Sequence, residues 1–241
     1  MQTREAYVKN LIRRRYQRHA AGGEWGGRAR ALKAGYEADC LDAMPESVVE
    51  RWAGCGNVVA GARLTGAAVI LDLGAGAGLD GLLLAASPTR PLVITVDMTP
   101  EMLAVANPTR ERILQIAGDF ERLPLADEVA DLVVANAALN LALEPAVAFT
   151  EAWRVLRPGG RLHICELVRE GDLPSELLTD PLAWSTSLGG VMAEHDLIRI
   201  IENAGFADIN VSGHRTFHPV VAVEIDAMKP APVSSISRGL H

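Results

Sequence analysis

Residues Ile70-Leu71-Asp72-Leu73-Gly74-Ala75-Gly76-Ala77-Gly78 read as an apolar strand running into three glycines at alternate positions. A second apolar run, Leu92-Val93-Ile94-Thr95-Val96, follows after the length of one helix and ends on Asp97. Strand, glycine turn, helix and a strand closed by an acid make a nucleotide-binding βαβ unit. Glycine lets the backbone turn tightly and approach a ligand closely. A carboxylate at the end of the second strand has lone pairs enough to accept both hydroxyls of a ribose.

The alternation continues outward from this unit. Strands are read over 68–73, 92–96, 113–117, 130–135 and 161–165, with helices over 79–86, 101–106 and 145–156 between them. Pro100 opens the second of these helices, and Arg157-Pro158-Gly159-Gly160 reads as a turn after the third. Strict alternation of this kind predicts a parallel, doubly wound sheet. Beyond residue 170 the pattern changes. Residues 196–204 carry an apolar stripe of Leu197, Ile198, Ile201 and Ala204, stopped by Gly205. A short strand is read over 207–211 and an alternating one from Val221 to Ala227. With no helix between them, these two pair antiparallel at the sheet's edge. Ahead of the sheet, Tyr7, Val8, Leu11, Ile12 and Tyr16 recur at helical spacing, a glycine-rich loop spans 21–27, and a helix opened by Pro45 runs through Val48, Val49 and Trp52.

The expected fold is therefore α/β: a Rossmann-like doubly wound sheet, mostly parallel with an antiparallel edge strand, plus an N-terminal helical lid. The expected organisation is a lid over 1–66, a nucleotide-binding core over 67–170, a segment over 171–229 that completes the sheet on the acceptor side, and a flexible Pro- and Ser-rich tail over 230–241.

With 241 residues, 49% of them apolar, and a net charge of −7, the chain supports a full core and argues against nucleic acid or an anionic membrane as a partner. Cys40, Cys55 and Cys165 match no zinc spacing and make no disulfide framework, which fits a reducing cytoplasm. No metal site is read. No apolar stretch suits a signal peptide or a membrane span. The partner that remains is a small molecule.

Asp72 immediately precedes the glycine loop, where it would repel a pyrophosphate and attract a cation. The spacing Gly-x-Gly-x-Gly also departs from the dinucleotide form. S-adenosylmethionine carries an ammonium, a sulfonium, a ribose and an adenine, with no phosphate. Asp97 suits its ribose; Asp119 and Phe120, after the third strand, suit the adenine amino group and ring face. Asn136, after the fourth strand, is expected at the methionine part. Asp72, Gly74, Ala75, Gly76, Gly78, Asp97, Met98, Gly118, Asp119, Phe120 and Asn136 make up the expected cofactor site.

Asp72-Leu73-Gly74-Ala75-Gly76-Ala77-Gly78, Asp97, Gly118-Asp119 and Arg157-Pro158-Gly159-Gly160 together resemble the motifs of class I S-adenosylmethionine-dependent methyltransferases. Gly54-Cys55-Gly56-Asn57, Val96-Asp97-Met98-Thr99-Pro100-Glu101-Met102-Leu103 and Gly118-Asp119-Phe120-Glu121-Arg122-Leu123-Pro124 resemble the arsenite methyltransferase branch. So do Ala135-Asn136-Ala137-Ala138-Leu139-Asn140-Leu141 and the stretch from Ser187-Leu188-Gly189-Gly190 to Ala227-Met228-Lys229-Pro230. The resemblance implies methyl transfer from S-adenosylmethionine. That branch holds trivalent arsenic, a soft centre, with thiolates. Here Gly81 and Ser187 stand at two of those cysteine positions, and Phe217-His218 offers none at a third. The expected acceptor is accordingly a small organic molecule. The alternatives are arsenite with a reduced cysteine set, or a descendant that binds the cofactor without transferring its methyl group. On the acceptor side, Asn140 either faces the acceptor or caps a loop, Glu166 is a base, a partner for a cationic acceptor or a helix or loop cap, and His195 is either a base or the opening residue of a helix.

Overall fold

The computed structural model describes residues 3–22, 26–106, 111–172, 180–186, 188, 190–217 and 219–232. Five helices precede the sheet: α1 (Arg4–Ala20), α2 (Gly27–Lys33), α3 (Ala38–Asp42), α4 (Glu46–Glu50) and α5 (Val58–Gly61). The Thr3 side chain accepts from the Ala6 N–H and starts α1. The short α2 and α3 carry no periodic apolar stripe long enough to be read from sequence; they are held by Ala31, Tyr36 and Leu41 packing under Trp52, Leu79 and Met102.

The sheet elements follow as β1 (Val69–Leu73), α6 (Leu79–Ala85), β2 (Leu92–Asp97), α7 (Pro100–Val105), β3 (Ile113–Ala117), β4 (Ala130–Asn136), a 3₁₀ turn (Leu139–Leu141), α8 (Pro145–Val155) and β5 (Leu156–Arg169). Then come α9 (Pro181–Trp184), β6 (Met192–Ala193), α10 (Glu194–Asn203), β7 (Ala207–Phe217) and β8 (Val220–Met228). The strands lie in the order β3-β2-β1-β4-β5-β8-β7, with the short β6 on the end of β5. The first five are parallel, and β8 runs antiparallel to both β5 and β7. The expected antiparallel edge pair is present; β7 is the edge and β8 sits inside. The central parallel strands β1, β2 and β4 are buried on both faces, with Leu71 and Leu73 of β1 in one core cluster and Ile70 in another, which explains their apolar runs; the edge strand β3 leaves Leu114 exposed.

Two expectations change. The fifth strand does not stop at Cys165: β8 pairs with it from Arg161 to Arg169, so Glu166 lies within a strand rather than after one. The Arg157–Gly160 turn is a kink inside the start of β5, where the register against β4 shifts between Ala130 and Leu132 and Gly159 takes a φ of +81°. The expected tail from 233 onward, Ser187 and His218 lie outside the described residues. Among the described residues, no helix is long and apolar enough to cross a membrane.

Strand order reverses at β1, which pairs with β2 on one side and β4 on the other. In open α/β sheets that reversal opens a crevice at the carboxyl ends of the strands. It brings together Leu73, Asp97 and Asn136, and the glycine loop emerges between them.

Candidate functional site

A cleft lies at that crevice, open to solvent on one side. Its floor is the glycine loop. Gly74, Gly76 and Gly78 have φ of +65°, +56° and +85°, a region in which a side chain is strained. A Cβ at Gly74 would also stand 2.4 Å from the Ala138 Cβ, so the loop and the turn after β4 touch backbone to side chain. The loop is tied to β2 by Gly74 N–H donating to the Val96 carbonyl at 2.8 Å, and Gly76 N–H donating to Asp97 Oδ2 at 2.9 Å.

Five carboxylates edge the cleft: Asp72, Asp80, Asp97, Asp119 and Glu121. Burial is the main force pushing Asp72 well above the usual range, with Asp80 and Asp97 adding to it. Burial likewise raises Asp80 and Asp97, against the hydrogen bonds they accept. Asp72 Oδ2 is buried without a hydrogen-bond partner. Such a group is costly in the ionised state unless a cation or donor meets it. Asp97 accepts from Gly76 and, through Oδ1 at 2.7 Å, from the Thr99 N–H. A carboxylate has about four lone-pair sites, so capacity for two hydroxyls remains. Met98 and Phe120 line the same end of the cleft. An ammonium-bearing nucleoside without phosphate fits this donor set.

Asp119 is not free. Its Oδ2 accepts from Lys9 Nζ at 2.7 Å, and Lys9 also pairs with Glu121 and with Glu5. Burial alone would lower the Lys9 pKa, but these carboxylates outweigh it and hold the ammonium firmly charged. Further along α1, Arg13 Nε donates to the Met98 carbonyl at 3.3 Å and Gln17 to Glu101 at 2.9 Å. Ile12 and Tyr16 line the cleft between these contacts. Helix α1 therefore lies over the cleft on the side of Asp97 and Asp119. Tyr7, on the same helix, is 47% exposed, and Trp25 lies outside the described residues.

Asn136 lines the cleft, yet its side chain is spent on the neighbouring loop. Oδ1 accepts from the N–H groups of Cys55 and Gly56 at 2.8 and 3.1 Å, and Nδ2 donates to the Gly56 carbonyl at 2.8 Å and to Asp80 at 3.0 Å. Buried loop backbone needs such partners, and this explains why Asn136 braces the 54–56 loop. Asp80 in turn accepts from the Tyr36 hydroxyl at 2.5 Å. Gly118 packs beneath Pro124 and does not line the cleft.

The three acceptor-side candidates are not brought to the cleft. Glu166 lies under the turn after β4 and accepts from its backbone N–H groups. Asn140 is buried in that same turn beside a small separate cavity. His195 is exposed in the first turn of α10, beside Asp196. Trp184 donates to the Leu141 carbonyl at 3.3 Å, outside the cleft. Sequence reasoning missed Lys9, Tyr36, Arg51, Trp52 and Asp80, all except Tyr36 on the cleft wall. A signal existed for Asp80: an acid at the opening of a helix whose neighbours Leu79 and Leu82 are buried. For Lys9 the sequence shows only an ordinary i,i+4 pair with Glu5.

A protein family described as "Methyltransferase domain" matches residues 64–205. An arsenite methyltransferase of Halobacterium salinarum is 35% identical over 75% of this chain and 47% of its own length. The human arsenite methyltransferase is 30% identical over 70% of this chain and 48% of its own. The crystal structure of an arsenic(III) S-adenosylmethionine methyltransferase from Chlamydomonas reinhardtii superposes with a TM-score of 0.66 and 28% identity, covering 81% of this chain and 73% of that one. The chain spans about half the length of the curated relatives it matches.

Proposed function

The chain belongs to the methyltransferase-domain family, and from that premise we propose that it transfers a methyl group from S-adenosylmethionine to a small organic acceptor. The observation that carries this is the set of acids around the glycine loop at the point where strand order reverses. When bound, S-adenosylmethionine supplies a methyl group already activated on a positively charged sulfur. The buried Asp72 and Asp80 would hold its ammonium, Asp97 its ribose hydroxyls, and Met98, Phe120 and Asp119 its adenine; Gly74, Ala75, Gly76 and Gly78 let the backbone approach.

The remaining work of the chain is alignment and exclusion of water. Ile12, Tyr16, Trp52, Leu141 and Ala142 give the cleft an apolar wall. Holding the acceptor lone pair in line with the carbon–sulfur bond and keeping water out accounts for much of the rate in such displacements. Among the described residues, no histidine lines the cleft. An acceptor that reacts without a base, or one deprotonated by a cleft carboxylate, suits this wall.

A specific observation favours a second reading, arsenite as acceptor. Cys55 and Cys165 are both buried and sit close enough for the Cys165 sulfur to touch Gly56. Against it, a Cβ at Gly81 would meet Thr95 Cγ2 at 2.8 Å and Asp72 Oδ2 at 3.2 Å, so no side chain stands there without displacing its neighbours. Burial keeps both thiols protonated, whereas arsenic needs thiolates. Calorimetry with S-adenosylhomocysteine tests the cofactor, and an absence of heat and of thermal shift at millimolar ligand rejects it. Incubation with cofactor, arsenite and glutathione, followed by separation of arsenic species, tests the acceptor. Little or no methylated arsenic is expected; repeated turnover favours the second reading.

A further inference from the structure

Glu166 is 1% exposed in the middle of β5, yet it is not a free carboxylate. Oε1 accepts from the N–H groups of Ala138 at 3.0 Å and Leu139 at 2.8 Å, and Oε2 from that of Asn140 at 3.4 Å. Three successive backbone donors thus converge on one side chain from the strand beneath. The residue before them, Ala137, has a φ of +54°, which a non-glycine residue adopts only under constraint. Its N–H donates to the Cys165 carbonyl at 2.8 Å, so the same two residues of β5 fix both the strained residue and the turn after it. Gly190 presses on the far side, where a Cβ would stand 1.7 Å from the Asn140 carbonyl oxygen. The cavity beside Glu166 is lined by apolar side chains such as Phe149, Met192 and Leu197, with no cation among them.

What the turn carries makes this grip matter. Ala137, Ala138, Leu141 and Ala142 form the cleft wall beyond β4, and the Ala138 methyl rests on Gly74 of the glycine loop. A shift of the turn of a few tenths of an ångström moves the wall and presses on the loop together, and in-line transfer is sensitive to displacements of that order. We propose that Glu166 is a positioning residue for methyl transfer: gripping residues 138–140 from below, it sets the wall against which donor and acceptor are aligned and keeps the glycine loop seated. This rests on the methyl-transfer reading above and gives Glu166 no contact with the reacting atoms.

The test compares wild type with Glu166→Gln, which keeps one acceptor oxygen, and Glu166→Leu, which keeps none. Three measurements are made: thermal melting, backbone amide exchange over residues 137–142, and affinity for S-adenosylhomocysteine. The expected result is graded. Leu speeds exchange in the turn at least tenfold and weakens the ligand five- to twentyfold, Gln restores most of both, and exchange in α10 across the small cavity does not change. If Leu fails to fold, Gln against wild type decides, with a two- to fivefold effect expected on both readouts. Turn exchange equal to wild type in both variants overturns the grip. Faster exchange with unaltered affinity overturns its positioning role. If wild type itself binds no S-adenosylhomocysteine, the cofactor reading fails, while the exchange data still judge the grip.

Discussion

Lys9→Met should turn the lid from a latched cover into a loose one. The Lys9 ammonium is three-sided, held by Asp119 at 2.7 Å, by Glu121 and by Glu5, with only 18% of its side chain exposed. Exposed ion pairs are worth about 0.2–1 kcal/mol and sheltered charged hydrogen bonds about 1.5–3 kcal/mol. Glu121 is sheltered, with 7% of its side chain exposed, whereas Asp119 stands at 32%. After discounting for solvent screening, the latch comes to about 1–2 kcal/mol. The other ties of α1, Arg13 to the Met98 carbonyl and Gln17 to Glu101, survive the substitution. Methionine retains the apolar stem and removes the charge. Dissociation of S-adenosylhomocysteine should therefore speed up roughly five- to thirtyfold, measured by stopped-flow displacement. Because the latch is ionic, wild-type dissociation should also quicken between about 50 and 500 mM salt, and the variant should lose most of that dependence. Equal dissociation rates for the two proteins at low salt would refute the latch.

Removal of residues 1–22 should weaken S-adenosylhomocysteine binding at least as much as Lys9→Met, since α1 touches the Asp97 and Asp119 end of the cleft; affinity unchanged by truncation would place the lid elsewhere. Asp97→Ala should cost about 1.5–3 kcal/mol of binding by calorimetry, the scale of hydrogen bonds to a charged group. Stability should fall as pH rises. Burial pushes Glu166 from 4.5 up to about 7, so the folded state holds a proton that the unfolded state has lost, and raising the pH through this window removes about 2 kcal/mol between about pH 5.5 and 8.5. Asp72, Asp80 and Asp97 are raised too and act in the same direction. Urea titrations at the two pH values check the sign, and Glu166→Gln should remove the share that belongs to Glu166. Affinity for the cationic S-adenosylmethionine should move the opposite way and tighten with pH as the cleft carboxylates ionise.

The parallel sheet was legible because its central strands are apolar on both faces and its turns are marked by glycine and proline. The glycine loop, Asp97 and the antiparallel pair at the edge could all be placed from pattern alone. The lengths of β5 and β7 could not, since each is set by a partner strand distant in sequence: β8 fixes both. The same reason separates the legible from the illegible side chains. Asp72 and Asp97 flank local motifs, and local chemistry determines where they face. Asn136 and Glu166 stand at strand positions that suit a ligand equally well, and only the folded neighbours show that each is spent on backbone N–H groups. Lys9 meets Asp119 across more than a hundred residues of chain, a pairing for which no local pattern exists.

Those displaced roles change how acceptor choice can be encoded. Asn136 and Glu166 are both strand residues whose polar ends hold loops in place, one the 54–56 loop and the other the 138–141 turn. Both loops border the cleft, and neither anchor offers it a reacting group. The surface left for an acceptor comes from α1, from Arg51 and Trp52, and from the small side chains after β4. None of these belongs to the motifs around the glycine loop. A change of acceptor within this fold therefore need not disturb the cofactor acids at all, only the lid and the two anchored loops. Gly81 is the exception that ties the two halves together. It lies against Asp72 and Thr95, so a side chain at that position presses directly on the carboxylate assigned to the cofactor ammonium. Placing cysteine there should cost donor affinity before it gains any thiophilic acceptor, and recovering an arsenic site would require Thr95 to shrink as well.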